Sequence, residues 1–261
     1  MKSSPFPWRS WRLGGLLKNE KMVAAAQERL QRSKKNLQEH LGTGKVKWFR
    51  RHLGAWGDRH FRDFPWRRTK DPYAIFVAEF LLQQTNAAKV APIYQTFVAR
   101  YPTLGDLAAV PVGEVVSLLQ PLGLFGRAER LRRSAQIVLE KYGGKFPRTE
   151  AELLELPGVG PYIARSVCAH AYGQPLAVLD TNVARILERF FGLEGGRVKW
   201  RSSLLWEAAL AAAPKKQVGV WNLALLDFGA AVCTAKNPRC AECPLRSQCD
   251  WAAQQIRTPC P

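Results

Sequence analysis

Apolar positions recur at helical spacing along most of the chain, and strand-like alternation is scarce. The run from Tyr73 to Leu82 is apolar nearly all round. That pattern predicts a buried helix, opened by Asp71-Pro72 with proline in its first turn. Ahead of it, Val46 to His60 carries Trp48, Phe49, His52, Leu53 and Trp56 on one side. His52 and His60 read as surface or helix-end residues there. Behind it, Thr85 is suited to cap a helix from Asn86 to Tyr101. Short helices are expected over Leu104–Ala109, Val112–Leu119 and Arg127–Tyr142, the last stopped by Gly143-Gly144. Val183, Ile186, Leu187 and Phe190 line one face of another, and Trp200–Ala213 and Val218–Val232 predict two more. The expected fold class is all-α, in two helical domains. One spans residues 71–179; the other combines 46–70 with 180–261.

Two features break the apolar periodicity. Glu79 sits inside the buried run, where a carboxylate is costly unless it is paired or faces a cavity. Burial there would raise its pKa; the local sequence alone fits an outward glutamate as well. The second feature is Leu156-Pro157-Gly158-Val159-Gly160-Pro161-Tyr162. Thr149 and Glu152 mark a short helix before this turn as a capping pair, and Pro161 opens a second helix after it. Gly158 and Gly160 permit unusual backbone angles and close approach of another molecule. With the first amides of the second helix, the turn forms either an ordinary helix–helix connector or an anion site suited to a phosphate. Asp180 follows in Val178-Leu179-Asp180-Thr181-Asn182, a natural N-cap position.

Charge changes the picture. The net charge of +18 and a pI near 10.1 point to a polyanionic partner. Residues 1–45 alone carry ten Lys/Arg against three Glu. They read as a solvated basic extension, with a basic helix from Val23 to Leu41 as its one candidate element. Non-specific phosphate binding is its functional reading. Its first nineteen residues contain no acid, as in organelle-targeting segments, and Met22 is an alternative start. No apolar run approaches the ~20 residues of a membrane span. Cys233, Cys240, Cys243 and Cys249 are four thiols within seventeen residues, a metal site in a reducing, intracellular setting rather than a disulfide framework. Four such soft ligands suit tetrahedral zinc or an iron–sulfur cubane. Cys168 reads as a core residue and Cys260 as a free thiol.

The hairpin, Asp180, the four cysteines and Ala78-Glu79-Phe80-Leu81-Leu82-Gln83-Gln84-Thr85 together resemble the helix-hairpin-helix DNA glycosylase superfamily. The likeness is to its iron–sulfur branch, with endonuclease III and adenine DNA glycosylase, and runs from about Phe64 to Cys249. It implies a [4Fe-4S] cluster on Cys233, Cys240, Cys243 and Cys249. It implies a monomer acting on double-stranded DNA with a mismatched or damaged base, which leaves the stack to enter the groove between the domains. Asp180 then matches the aspartate that stabilises the oxocarbenium-like sugar, and Glu79 the acid that protonates the base. Gly158, Val159 and Gly160 of the hairpin, together with Gln84 and Arg127, are the expected DNA contacts. Tyr162 stands where bifunctional members carry the lysine that attacks the sugar, so a monofunctional enzyme without strand cleavage is implied.

The base is less clearly marked. Glu79 and Gln83-Gln84-Thr85 resemble adenine glycosylases. Leu124-Phe125 departs from the two tyrosines typical there and resembles thymine–guanine mismatch glycosylases, with Phe125 a candidate wedge. The end of the chain soon after Cys249 also leaves no room for a domain reading 8-oxoguanine. Thymine or uracil opposite guanine is the favoured substrate, and adenine opposite guanine or 8-oxoguanine the alternative. Two readings of other classes are a non-catalytic DNA-binding protein on the same scaffold and a zinc-dependent DNA-binding module.

Overall fold

Asp71 accepts hydrogen bonds from the N–H groups of Tyr73 and Ala74, and Pro72 needs no acceptor, so the apolar run begins as a well-capped helix. The computed structural model describes residues 41–123 and 126–257. The candidate helix over Val23–Leu41, apart from Leu41 itself, lies outside them, as do Leu124, Phe125 and Cys260. Twelve α-helices are described: α1 Thr43–His60, α2 Pro72–Leu82, α3 Ala87–Arg100, α4 Leu104–Ala109, α5 Val112–Leu119, α6 Gly126–Tyr142, α7 Glu150–Leu154, α8 Pro161–Tyr172, α9 Thr181–Phe191, α10 Ser203–Ala212, α11 Val218–Ala231 and α12 Asp250–Arg257. Among the described residues there is no β-strand, in accord with the all-α expectation. None of the described helices is long and apolar enough to cross a membrane.

Buried side chains gather in two clusters. The first joins α1 to α9, α10 and α11 through Phe49, Phe190, Phe191, Leu205, Trp221 and Phe228. Phe49 meets Phe190 at a 4.7 Å centroid separation and Trp221 edge-on at 5.6 Å. The second surrounds α2, with Phe76, Phe80 and Leu81 packed among residues of α3, α4, α6 and α8. Trp66, from the segment ahead of α2, packs into this second cluster. Cys168 is fully buried within it. Tyr162, at the start of α8, lies against both clusters and so at their seam.

Three expected boundaries move, each for a local reason. Asn86, not Thr85, caps α3, its Oδ1 accepting from the Ala88 N–H at 2.8 Å. Thr85 instead donates its hydroxyl to the Gln83 carbonyl at 3.1 Å. Helix α1 begins at Thr43, so residues 43–45 belong to it rather than to the extension. Helix α10 begins at Ser203 because Ser202 caps it, and Lys199–Arg201 ahead of it form a separate 3₁₀ turn.

Candidate active site and cluster loop

The turn between α7 and α8 closes as its residues demand. Thr149 and Glu152 form a reciprocal capping box at the start of α7. Gly158 has φ +81°, and a β-carbon there would meet the Arg130 side chain at 2.7 Å. Its glycine is therefore required by the backbone angle, while the exposed Arg130 side chain could give way to a larger residue. A β-carbon on Gly160 would meet nothing, so the open space there is on the outside of the turn, where another molecule can approach. The first turn of α8 leaves the N–H groups of Tyr162 and Ile163 without intrahelical acceptors. Val159 does not share that role. Its N–H donates to the Leu156 carbonyl at 3.1 Å and its side chain packs on the second cluster.

Beside this turn opens a cleft of about 1260 Å³ whose lining includes Glu79, Gln84, Gly160, Tyr162 and Asp180. Glu79 is 7% exposed, and its Oε1 accepts the Ser166 hydroxyl at 2.5 Å. Burial pushes its pKa up to about 7, with Asp180 adding to the rise, against the Ser166 hydrogen bond and the positive charge of Arg67. Asp180 caps α9. Its Oδ1 accepts the Val183 N–H and its Oδ2 the Asn182 side-chain amide, each at 2.7 Å. Burial raises its pKa too, but those donors and Arg185 act against the rise. Burial, then Glu79 and Asp180, drive the Tyr162 phenol well above its ordinary value, so its O–H stays protonated. The three side chains thus sense one another's charge within one cleft.

The other expected DNA contacts fare differently. Gln84 is exposed on the lip of the cleft, with φ +53° at a non-glycine position. Such backbone strain is characteristic of functional loops. Arg127 is a correction: it is 3% exposed and turned inward. Its guanidinium donates to the Leu81 carbonyl at 2.7 Å, to the Gln83 carbonyl and to Thr85 Oγ1 at 3.0 Å. It holds the end of α2 and the Gln83–Thr85 loop rather than a phosphate, because those carbonyls lack helical partners. Arg127→Ala is expected to cost about 1–3 kcal/mol of stability, read as a fall in Tm, with the loss of these charged hydrogen bonds.

Two further elements were not foreseen. Arg185 and Arg189 on α9 reach the loop that begins at Cys233. Arg185 donates to the Cys233 carbonyl at 2.7 Å and to Asn182 Oδ1 at 2.8 Å, so Asn182 joins the cluster loop to the Asp180 carboxylate. The spacing of these residues after an N-cap was visible, but the partner fifty residues on was not. The second is the connector between α9 and α10, whose Arg197, Val198, Lys199 and Trp200 form part of the cleft wall.

Cys233, Cys240, Cys243 and Cys249 are free thiols. The charges of Cys233 and Cys240 bear on both Cys243 and Cys249, and Cys233 bears on Cys240. Four thiols that sense one another's charge in one loop form a soft donor set of the kind that holds an iron–sulfur cluster.

Comparison with known proteins bears on both parts. The model of the HhH-GPD superfamily base excision DNA repair protein matches residues 77–208, and that of the iron-sulfur binding domain of endonuclease III matches residues 233–249. The chain is 40% identical over 217 residues to the thymine-DNA glycosylase of Aeropyrum pernix, covering 80% of this chain and 96% of that one. It is 38% identical over 211 residues to the adenine DNA glycosylase of Homo sapiens, covering 77% and 39%. A solved thermostable thymine-DNA glycosylase superposes with a TM-score of 0.78 at 34% identity, covering 82% of this chain and 99% of that one. The cofactor is a [4Fe-4S] cluster, and the substrate is DNA. On a scaffold shared over nearly the full length of the two thymine-DNA glycosylases, the cleft has one family assignment: the chain belongs to the HhH-GPD superfamily of base excision DNA repair proteins and is a DNA glycosylase.

Proposed function

We propose that this glycosylase removes thymine or uracil mispaired with guanine, by hydrolysis and without cutting the strand. The observation that carries the second half is Tyr162 in the cleft with Glu79 and Asp180: a phenol has no amine nitrogen and cannot form an imine with the sugar. Asp180 is the carboxylate beside the oxocarbenium-like sugar, where its charge stabilises the transition state. Glu79, poised near neutrality, is the acid or hydrogen-bond donor to the departing base. Gly158, Gly160 and the first amides of α8 hold a phosphate, and Gln84 fills the gap left by the extruded nucleotide. Cys233, Cys240, Cys243 and Cys249 hold the cluster, which fixes their loop against DNA. The two halves, residues 71–179 and 46–70 with 180–261, flank the bound duplex, and one chain supplies the whole cleft and acts as a monomer.

Thymine is favoured by the likeness to the Aeropyrum pernix enzyme over nearly its entire length, and uracil by the thymine/uracil-DNA glycosylases that the chain also resembles. Adenine is the second reading, supported by Glu79 with Gln83-Gln84-Thr85 and by the human relative. Single-turnover release from T·G, U·G, A·G and A·8-oxoguanine duplexes separates them. Release of thymine or uracil with alkali-dependent nicking is expected; release of adenine alone would reverse the assignment. Borohydride is expected to trap no wild-type adduct with DNA. Tyr162→Lys is expected to gain one, since a buried lysine beside two carboxylates can attack the sugar.

A further inference from the structure

The α9–α10 connector presents Arg197-Val198-Lys199-Trp200-Arg201, cations alternating with apolar side chains. Val198 and Trp200 are 43% and 58% exposed, among the largest apolar exposures of the described residues. Both line the cleft that holds Glu79, Tyr162 and Asp180. Two adjoining exposed apolar side chains thus stand on the wall of the cleft rather than scattered over the surface.

This wall is built rather than loose. Trp206 on α10 donates its indole N–H to the Trp200 carbonyl at 2.9 Å. The Arg165 guanidinium lies over the Trp206 ring at 4.5 Å and pairs with Glu150 of α7 at 2.7 Å. A continuous set of contacts therefore ties Trp200 to the two hairpin helices. Lys199 is fixed by Glu188 at 2.5 Å. Gly195 allows the tight passage: a β-carbon there would meet Leu205 at 2.1 Å. Arg201 stacks its guanidinium on the Trp200 ring at 4.7 Å, and Arg197 is exposed beside it. Cations around an accessible aromatic ring suit a nucleotide, with phosphate met by the arginines and base by the indole.

We infer that Trp200 is a substrate-binding contact, its indole stacking on the extruded base while Arg197 meets the adjoining backbone. This rests on the glycosylase reading of the cleft. Stacking adds affinity only while the base is present. It holds the base against the wall of the cleft that also contains the groups assigned to bond cleavage.

The test is binding of wild type and of Trp200→Ala and Trp200→Phe to four duplexes. Three carry 2′-fluorinated thymidine, deoxyuridine or deoxyadenosine opposite guanine, whose electron-poor sugars resist cleavage; the fourth carries a tetrahydrofuran abasic site. Wild type is expected to bind its preferred base-bearing duplex more tightly than the abasic one. Trp200→Ala should weaken that complex roughly 10-fold or more, the range of aromatic stacking on a base. It should leave abasic binding within about twofold, and Trp200→Phe should retain most of the affinity. Equal loss on all duplexes would reveal a merely structural residue, and unchanged binding to all would remove Trp200 from the site. A wild type that does not distinguish base from abasic site would likewise overturn the inference. None of these three results touches the catalytic assignment, which base release from unmodified duplexes decides separately.

Discussion

Asp180→Asn is expected to lower single-turnover base release by roughly 10²–10³-fold, the scale on which one preorganised charge-stabilising group acts. DNA binding should survive, because the change removes a negative charge from a cleft that receives a polyanion. The fold should survive as well. Oδ1 of Asp180 accepts the Val183 N–H at 2.7 Å, and asparagine is as good an N-cap as aspartate. The one hydrogen bond at risk is that from the Asn182 amide at 2.7 Å, about 1 kcal/mol or a few degrees in Tm for a chain of this size. Burial already raises the Asp180 pKa, so its charged form weighs against stability as pH rises through that pKa. Asparagine removes this term and offsets part of the lost bond. Asp180→Ala loses the cap also, about 1 kcal/mol more, which separates the structural use of the side chain from the chemical one. Release within tenfold of wild type by Asp180→Asn, with Tm intact, would mean the aspartate serves only as a cap.

What was legible in the sequence was what short-range rules determine. The capping box at Thr149 and Glu152, Pro72 and Pro161 in first turns, and Asp180 as an N-cap each depend on neighbours within four residues. The apolar run around Glu79 was legible for the same reason, since a helix with no polar face has nowhere to lie but inside. The roles that escaped depend on partners far along the chain. The resemblance makes Arg127 a DNA contact, yet it answers the end of α2 and the loop after it, forty-odd residues earlier. The link from Asn182 through Arg185 to Cys233 requires α9 to lie against the cluster loop, which no local pattern encodes. Sequence pattern alone runs the helix back to Trp200, because its turn is helical in spacing. Ser202 then captures the next helix's N–H groups and leaves the tryptophan on the cleft wall.

Glu79→Gln is expected to reduce base release by ~10²–10⁴-fold, the usual contribution of general acid–base catalysis. Its pH signature is the sharper measurement. With a pKa near 7 the wild-type acid is protonated below neutrality, so its rate should fall as pH rises through about 7. The residual rate of the variant should lack that step. The same shift has a stability consequence of definite sign. The folded pKa lies above the ordinary glutamate value, so stability is greatest below about 4.5 and is lost as pH rises toward 7. A shift of this size corresponds to about 3 kcal/mol withheld at pH 8 from a side chain that is almost wholly buried. Glutamine keeps the acceptor for Ser166 and carries no charge, so the variant should be the more stable protein at pH 8 and nearly equal to wild type near pH 4.5. Loss of activity together with this pH-dependent gain in Tm is hard to obtain from a packing defect, which lowers stability at every pH. An unchanged rate would remove Glu79 from the chemistry. A Tm difference that does not shrink on acidification would show that the carboxylate is neither buried nor poised as its surroundings require.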